Sequence, residues 1–211
     1  MTVRKQSLLE RRTCNMAYIE IEHLTKDYGK GRGIYDVSLE IEKGEVYGFV
    51  GINGAGKTTT IRHMMGFIKP DEGNVSIKGL DATKSSAEVK RYVSYIPGEI
   101  NFPGNTTGEE FLKEQIYLSG RGNWDRAKEL IELLQLDATA NVHAMSKGMK
   151  QKTAIVTALA SDADILIMDE PTTGLDPLMR DLFIELLKEE KEKGKTIFMS
   201  SHIFQEVEEV C

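Results

Sequence analysis

The chain has 211 residues, 40% of them hydrophobic, and a formal net charge of -6, which suits one α/β domain with a substantial core. The acidic balance argues against a general grip on nucleic-acid backbones, and no apolar run approaches the ~18 residues that cross a bilayer. The two cysteines, Cys14 and Cys211, stand at opposite ends and read as free thiols of a reducing cytosol, with no metal or disulfide framework.

Residues 1–16 carry Arg4, Lys5, Arg11 and Arg12 without the apolar core of a signal peptide, so they read as a polar N-terminal extension. Ile19-Glu20-Ile21-Glu22 and Val37-Ser38-Leu39-Glu40-Ile41-Glu42 alternate in polarity and predict half-exposed strands. A glycine- and lysine-rich turn from Lys30 to Gly33 separates them. Glu45 to Val50 is apolar and β-rich, the mark of a buried strand.

Gly51-Ile52-Asn53-Gly54-Ala55-Gly56-Lys57-Thr58-Thr59 follows, satisfying G-x-x-x-x-G-K-[ST]. Residues Thr59 to Gly66 have helical spacing, with Ile61, Met64 and Met65 able to share an inward face. Strand, glycine loop and helix are the context this motif requires. The glycines let successive backbone N–H groups turn inward, and the helix adds the positive end of its dipole. Asn53, Gly54, Ala55, Gly56, Lys57, Thr58 and Thr59 thus read as a triphosphate cradle, with Lys57 reaching the β- and γ-phosphates and the Thr58 hydroxyl on Mg²⁺.

Pro70 to Gly73 is a turn, Asn74 to Lys78 a strand, and Tyr92 to Ile96 a further strand stopped by Pro97-Gly98. From Thr107 to Ser161 the pattern is mostly helical. Thr107-x-x-Glu110 spells a capping box, a second helix runs from Trp124 to Leu134, and a third starts near Ser146. Strands return at Ile165 to Met168 and Thr196 to Met199, with an amphipathic helix, Leu182 to Leu187, between them. A last helix, from Phe204, stops at Cys211.

Two carboxylates, Asp169 and Glu170, emerge at the carboxyl end of the Ile165–Met168 strand, where open parallel sheets bind ligands. In a P-loop protein such an Asp supports the Mg²⁺ shell, and Glu170 is placed to take a proton from water. Ser146-Lys147-Gly148 is either a plain helix cap or an anion-binding helix start. His202, after a buried strand, is on its own more often structural than catalytic.

Taken together in this order, the pieces resemble the nucleotide-binding domain of ATP-binding cassette (ABC) proteins, from about Tyr18 to the last residues. Gly51 to Thr58 matches the family's Walker A loop and Ile165 to Glu170 its Walker B strand with the catalytic glutamate. Ser146-Lys147-Gly148 matches the signature, although Lys147 stands where a second glycine is common and Met149 where a glutamine is common. The run Met145 to Gln151 is similar to a variant found in ABC-2-type exporters. Gly174-Leu175-Asp176 matches the D-loop, His202 the switch histidine, and Tyr28 sits where the family stacks an aromatic on adenine. Pro97-Gly98-Glu99 departs from the pattern, since the family places a glutamine here, and Glu99 would be its substitute at Mg²⁺.

The resemblance implies a P-loop NTPase fold: a RecA-like mixed α/β sheet core with an antiparallel β edge, residues 17–97 and 161–211, interrupted by a helical subdomain, 98–160. It implies an ATPase with Mg²⁺ as cofactor, on the cytoplasmic face of a membrane, powering a transporter of the exporter kind. Its partners would be a separate transmembrane permease and a second nucleotide-binding domain, with no nucleic acid. Two copies would bind head to tail, Ser146 and Gly148 of one covering the γ-phosphate on Lys57 of the other, with Asp176 linking the sites. Glu170 would polarise the water and His202 would hold it. Phe102 is expected to be an exposed contact for the permease. The family continues past the histidine, so the stop at Cys211 reads as a truncated end. A soluble ABC ATPase with a non-membrane partner, and a silent truncated cassette, are the rival readings.

Overall fold

The computed structural model describes residues 17–211, so the N-terminal extension and Cys14 lie outside the described residues. Four strands, β1 (Ile19–Asp27), β2 (Gly33–Ile41), β4 (Glu72–Ile77) and β5 (Leu80–Asp81), form an antiparallel sheet in the order β2-β1-β4-β5. Four others, β3 (Val46–Val50), β6 (Val93–Ile96), β7 (Ile165–Asp169) and β8 (Thr196–Ser201), form a parallel sheet in the order β3-β8-β7-β6. The antiparallel strands thus have a sheet of their own beside the parallel core.

The helix α1 (Lys57–Met64) fills the space between the two sheets. Its Ile61 and Met64 pack with Ile19, Ile21 and Ile77 of one sheet and with Ile165, Ile167 and Phe198 of the other. Alternation along a strand sends the intervening side chains to the opposite face. There Leu166, Met168, Ile197 and Met199 meet α5 (Lys147–Ala160) through Ile155 and Leu159, and α6 (Pro177–Glu192) through Phe183 and Leu187. Every residue of β7 and β8 is buried, which explains the apolar runs Ile165 to Met168 and Ile197 to Met199.

Parallel register decides where the chemistry collects. Val50 pairs with Ser201, Asp169 with Ser200, and Ile96 with Met168. The segments leaving β3, β6, β7 and β8 therefore start from one edge of the sheet, the carboxyl edge at which open parallel sheets bind ligands.

The helices α3 (Gly108–Ser119) and α4 (Trp124–Leu133) pack on each other and on α5, which also reaches β6, while α7 (Phe204–Val210) packs on β3, β8 and α6. The capping box at Thr107 and Glu110 is present with both reciprocal hydrogen bonds. Three local features differ from the sequence-based expectation. The helix α6 starts at Pro177 instead of Leu182, because Asp176 caps it and proline suits the first helical position. The short β5 and α2 (Ser86–Val89) follow the β4 turn. Phe102 is not a free apolar contact: its ring meets Phe111 edge-on at 4.7 Å and packs with Val142 and Met145. On this block the strongly exposed apolar side chains are Tyr117 and Leu118 of α3. Among the described residues no helix is long and apolar enough to cross a membrane.

Candidate nucleotide site

At the end of β3 the chain turns through Gly54 and Gly56, with φ of 85° and 92°, into α1. Gly56 is the N-cap, and no side chain caps this helix or puts an acid in its first turn. The backbone end of the helix dipole is thus left for an anion. A side chain at Gly56 would meet Cγ2 of Ile34 at 2.2 Å, so both its φ and its surroundings demand glycine. Lys57, 5% exposed, curls back over the loop, and its Nζ donates to the carbonyls of Gly51 at 2.6 Å and Ile52 at 3.2 Å.

Thr58 Oγ1 donates to Asp169 Oδ2 at 2.6 Å. The other oxygen of Asp169, a residue 1% exposed, accepts from Ser200 Oγ at 2.6 Å. Ser200 Oγ in turn accepts from the Glu170 N–H at 3.0 Å. Glu170 holds φ at 48°, left-handed for a non-glycine residue. That turn sends its carboxylate between two basic groups, with Oε1 3.3 Å from Lys57 Nζ and Oε2 3.4 Å from His202 Nδ1.

A cavity of about 540 Å³ is lined by Tyr28, Asn53, Gly54, Gly56, Lys57, Thr58, Thr59 and Glu170, together with Arg32. A second, of about 470 Å³, brings Glu99 to the same rim as Thr58, Asp169 and Glu170. Gly98 runs so close to Asp169 that a Cβ there would be 3.1 Å from Oδ2. Burial, helped by the nearby Asp169 charge, pushes the Tyr95 hydroxyl up to about 12, so its ring stays neutral beside this site.

The remaining expected residues lie elsewhere in the protomer. Ala55 belongs to the loop, its N–H donating to the Ile52 carbonyl at 3.1 Å, but it does not line the cavity. Ser146 caps α5 by accepting from the Met149 N–H at 3.2 Å, and Asp176 caps α6 by accepting from the Met179 N–H at 3.0 Å. Gly148 abuts the backbone of Gly174, where a Cβ would be 2.9 Å from the carbonyl oxygen. Two contributors were not evident from sequence. Ser200 couples both carboxylate-bearing residues, and buried Gln151 ties α5 to the segment after Glu170 by donating to the Pro171 carbonyl at 2.6 Å. In sequence Ser200 is only the first of the two serines before His202, and Gln151 only the last residue of the signature-like run from Met145.

The sequence model of the family described as "ABC transporter" matches residues 34–173. The chain is 40% identical over 186 residues to the ABC transporter ATP-binding protein NatA of Bacillus subtilis, covering 85% of this chain and 76% of that protein. It is 38% identical over 198 residues to the bacitracin transport ATP-binding protein BcrA of Bacillus licheniformis, covering 91% of this chain and 64% of that protein. A dimeric ATP-binding cassette solved in a post-hydrolysis state with ADP and Pi superposes with a TM-score of 0.80 at 26% identity, covering 90% of each chain.

Proposed function

The chain belongs to the ABC transporter family of ATP-binding proteins, and on that premise we propose that it binds and hydrolyses ATP to power a membrane transporter of the exporter kind. One observation carries this reading: the Lys57–Glu170–His202 and Thr58–Asp169–Ser200 contacts converge at a single strand edge, over the glycine loop. The chain resembles a protein named for bacitracin transport, which supports the transporter role.

The glycine loop and the start of α1 hold the phosphates, Lys57 neutralises the β/γ end, and Tyr28 stacks on the base. The Thr58 hydroxyl and the Asp169 carboxylate, hydrogen-bonded to each other at 2.6 Å, offer hard oxygen atoms of the kind that suits Mg²⁺. Thr58 would bind it directly, Asp169 through water, and Glu99 from the rim. Held by these oxygens, Mg²⁺ would supply positive charge to offset the negative charge of the phosphates. Glu170 takes the proton of the attacking water, and His202 orients that water from the far side of the carboxylate. The Asp169–Ser200–Glu170 hydrogen bonds fix the base relative to the metal ligands.

Ser146, Gly148 and Asp176 do not reach this cavity within one protomer. They complete it from a second copy arranged head to tail, so that ATP joins two subunits and hydrolysis releases them. That a related cassette is dimeric in the presence of ADP and Pi supports this arrangement. The helical block, 98–160, carries the signature and is the part that meets a permease on the cytoplasmic face of the membrane.

Phosphate release from Mg-ATP tests the reading. Removing the Lys57 charge in Lys57→Ala should abolish binding or turnover. Wild-type affinity and rate in that variant would overturn the site.

A further inference from the structure

Glu206, in the first turn of α7, is 4% exposed although its side chain is ionisable. Its Oε2 accepts hydrogen bonds from the hydroxyls of Thr172 and Ser201, each at 2.9 Å. Its Oε1 lies 3.2 Å from Nε of Arg180, a pairing of charges that is not aligned as a hydrogen bond.

These three partners stand on three separate segments. Thr172 comes two residues after Glu170. Ser201 immediately precedes His202, and its Oγ also accepts from the Ile203 N–H at 2.9 Å. Arg180 belongs to α6, and its N–H donates to the carbonyl of Asp176 at 3.0 Å. A single carboxylate therefore joins the loop after the catalytic base, the histidine loop and the helix that Asp176 begins.

A buried charge is a poor device for stability, since an apolar side chain of similar size commonly serves a fold as well or better. What it does supply is fixed geometry. Both hydroxyls converge on one oxygen, so the Thr172 and Ser201 backbones cannot shift relative to each other without breaking a hydrogen bond to a charged acceptor. Proton transfer and water alignment are steeply sensitive to such shifts.

We propose that Glu206 is a positioning residue for ATP hydrolysis, holding Glu170 and His202 in register and tying that register, through Arg180, to the segment that begins at Asp176. The proposal rests on the hydrolytic reading given above.

Steady-state kinetics on the full chain test it. Glu206→Ala lowers kcat about tenfold or more, the scale of losing hydrogen bonds to a charged group. The KM for Mg-ATP stays within about twofold, because Glu206 and its partners do not line the nucleotide cavity. Glu206→Gln keeps an oxygen that accepts from both hydroxyls, and restores most of the rate. A folded Glu206→Ala with wild-type kcat, or one whose only loss is ATP affinity, overturns the proposal.

If Glu206→Ala does not fold, Thr172→Val and Ser201→Ala replace it. Each lowers kcat, and the double variant is no slower than the slower single. Wild-type rates in both singles overturn the proposal. Amide hydrogen exchange distinguishes this failure from failure of the hydrolytic reading, because it needs no turnover. Thr172→Val speeds exchange at Ile203 and its neighbours while β7 stays protected. Unchanged exchange around Ile203 means the tie does not exist, whatever the ATPase assay returns.

Discussion

Glu170 holds a left-handed φ of 48°, a conformation that costs a residue with a Cβ about 1–2 kcal/mol. Its N–H is pinned by both the carbonyl and the hydroxyl of Ser200, so the surrounding strands maintain the strain. Glu170→Gly should relieve it. Against that gain, glycine's greater freedom in the unfolded chain takes back about 0.5–1 kcal/mol. Loss of the contact with Lys57 is shared by Glu170→Gln, which keeps the shape and the strain and serves as the control. The glycine variant should therefore be more stable than the glutamine variant by about 0.5–1 kcal/mol. For a chain of this length that raises the midpoint of thermal unfolding by about 1–4 °C. Melting without nucleotide measures the difference, and phosphate release should show both variants inactive. Equal midpoints, or a lower one for glycine, would refute the idea that this backbone is held under strain for the sake of the carboxylate.

His63 is almost fully buried on α1, with Nδ1 2.8 Å from the Thr59 carbonyl and Nε2 without a partner. Burial holds its pKa below the ordinary 6.5, against the opposing pull of the Thr59 carbonyl. The unfolded chain therefore takes up this proton first, and the stability present above pH 6.5 is lost as pH falls through the window below it. Urea midpoints should drop between about pH 7 and 5, and His63→Gln should flatten the slope; an unchanged slope would assign the drop to other groups. Gly56→Ala forces a side chain into a φ of 92° and to 2.2 Å from Ile34 Cγ2. The loop must deform, and ATP affinity should fall about tenfold or more, as 1.4 kcal/mol of misfit implies. Unaltered affinity would mean that the loop's shape is not what binds the phosphates.

The parts of the site that were legible in sequence are those whose chemistry is local. Gly54 and Gly56 adopt the positive φ that a phosphate loop needs, and Lys57 and Thr58 follow at fixed offsets. The run Ile165 to Met168 is apolar because both faces of β7 are covered, which placed Asp169 and Glu170 at its end. Thr107 and Glu110 form their capping box within four residues. What stayed hidden depends on contacts between distant segments. Ser200 reaches Asp169 only because β7 and β8 are adjacent and in register. Phe102, flanked by proline and glycine, has the look of an exposed loop residue, yet Phe111 brings a ring to cover it. Helix α6 starts earlier than its apolar spacing suggests, since Asp176 and Pro177 act as a start signal that periodicity alone does not register.

ATP-driven pairing of two copies is most directly tested by sedimentation velocity of Glu170→Gln with and without Mg-ATP. The amide keeps the shape of the site but cannot accept the proton, so nucleotide remains bound. The variant should sediment as a monomer alone and as a dimer with ATP, and Lys57→Ala introduced beside it should restore the monomer. A variant that binds ATP and still sediments as a monomer would contradict the head-to-tail mechanism.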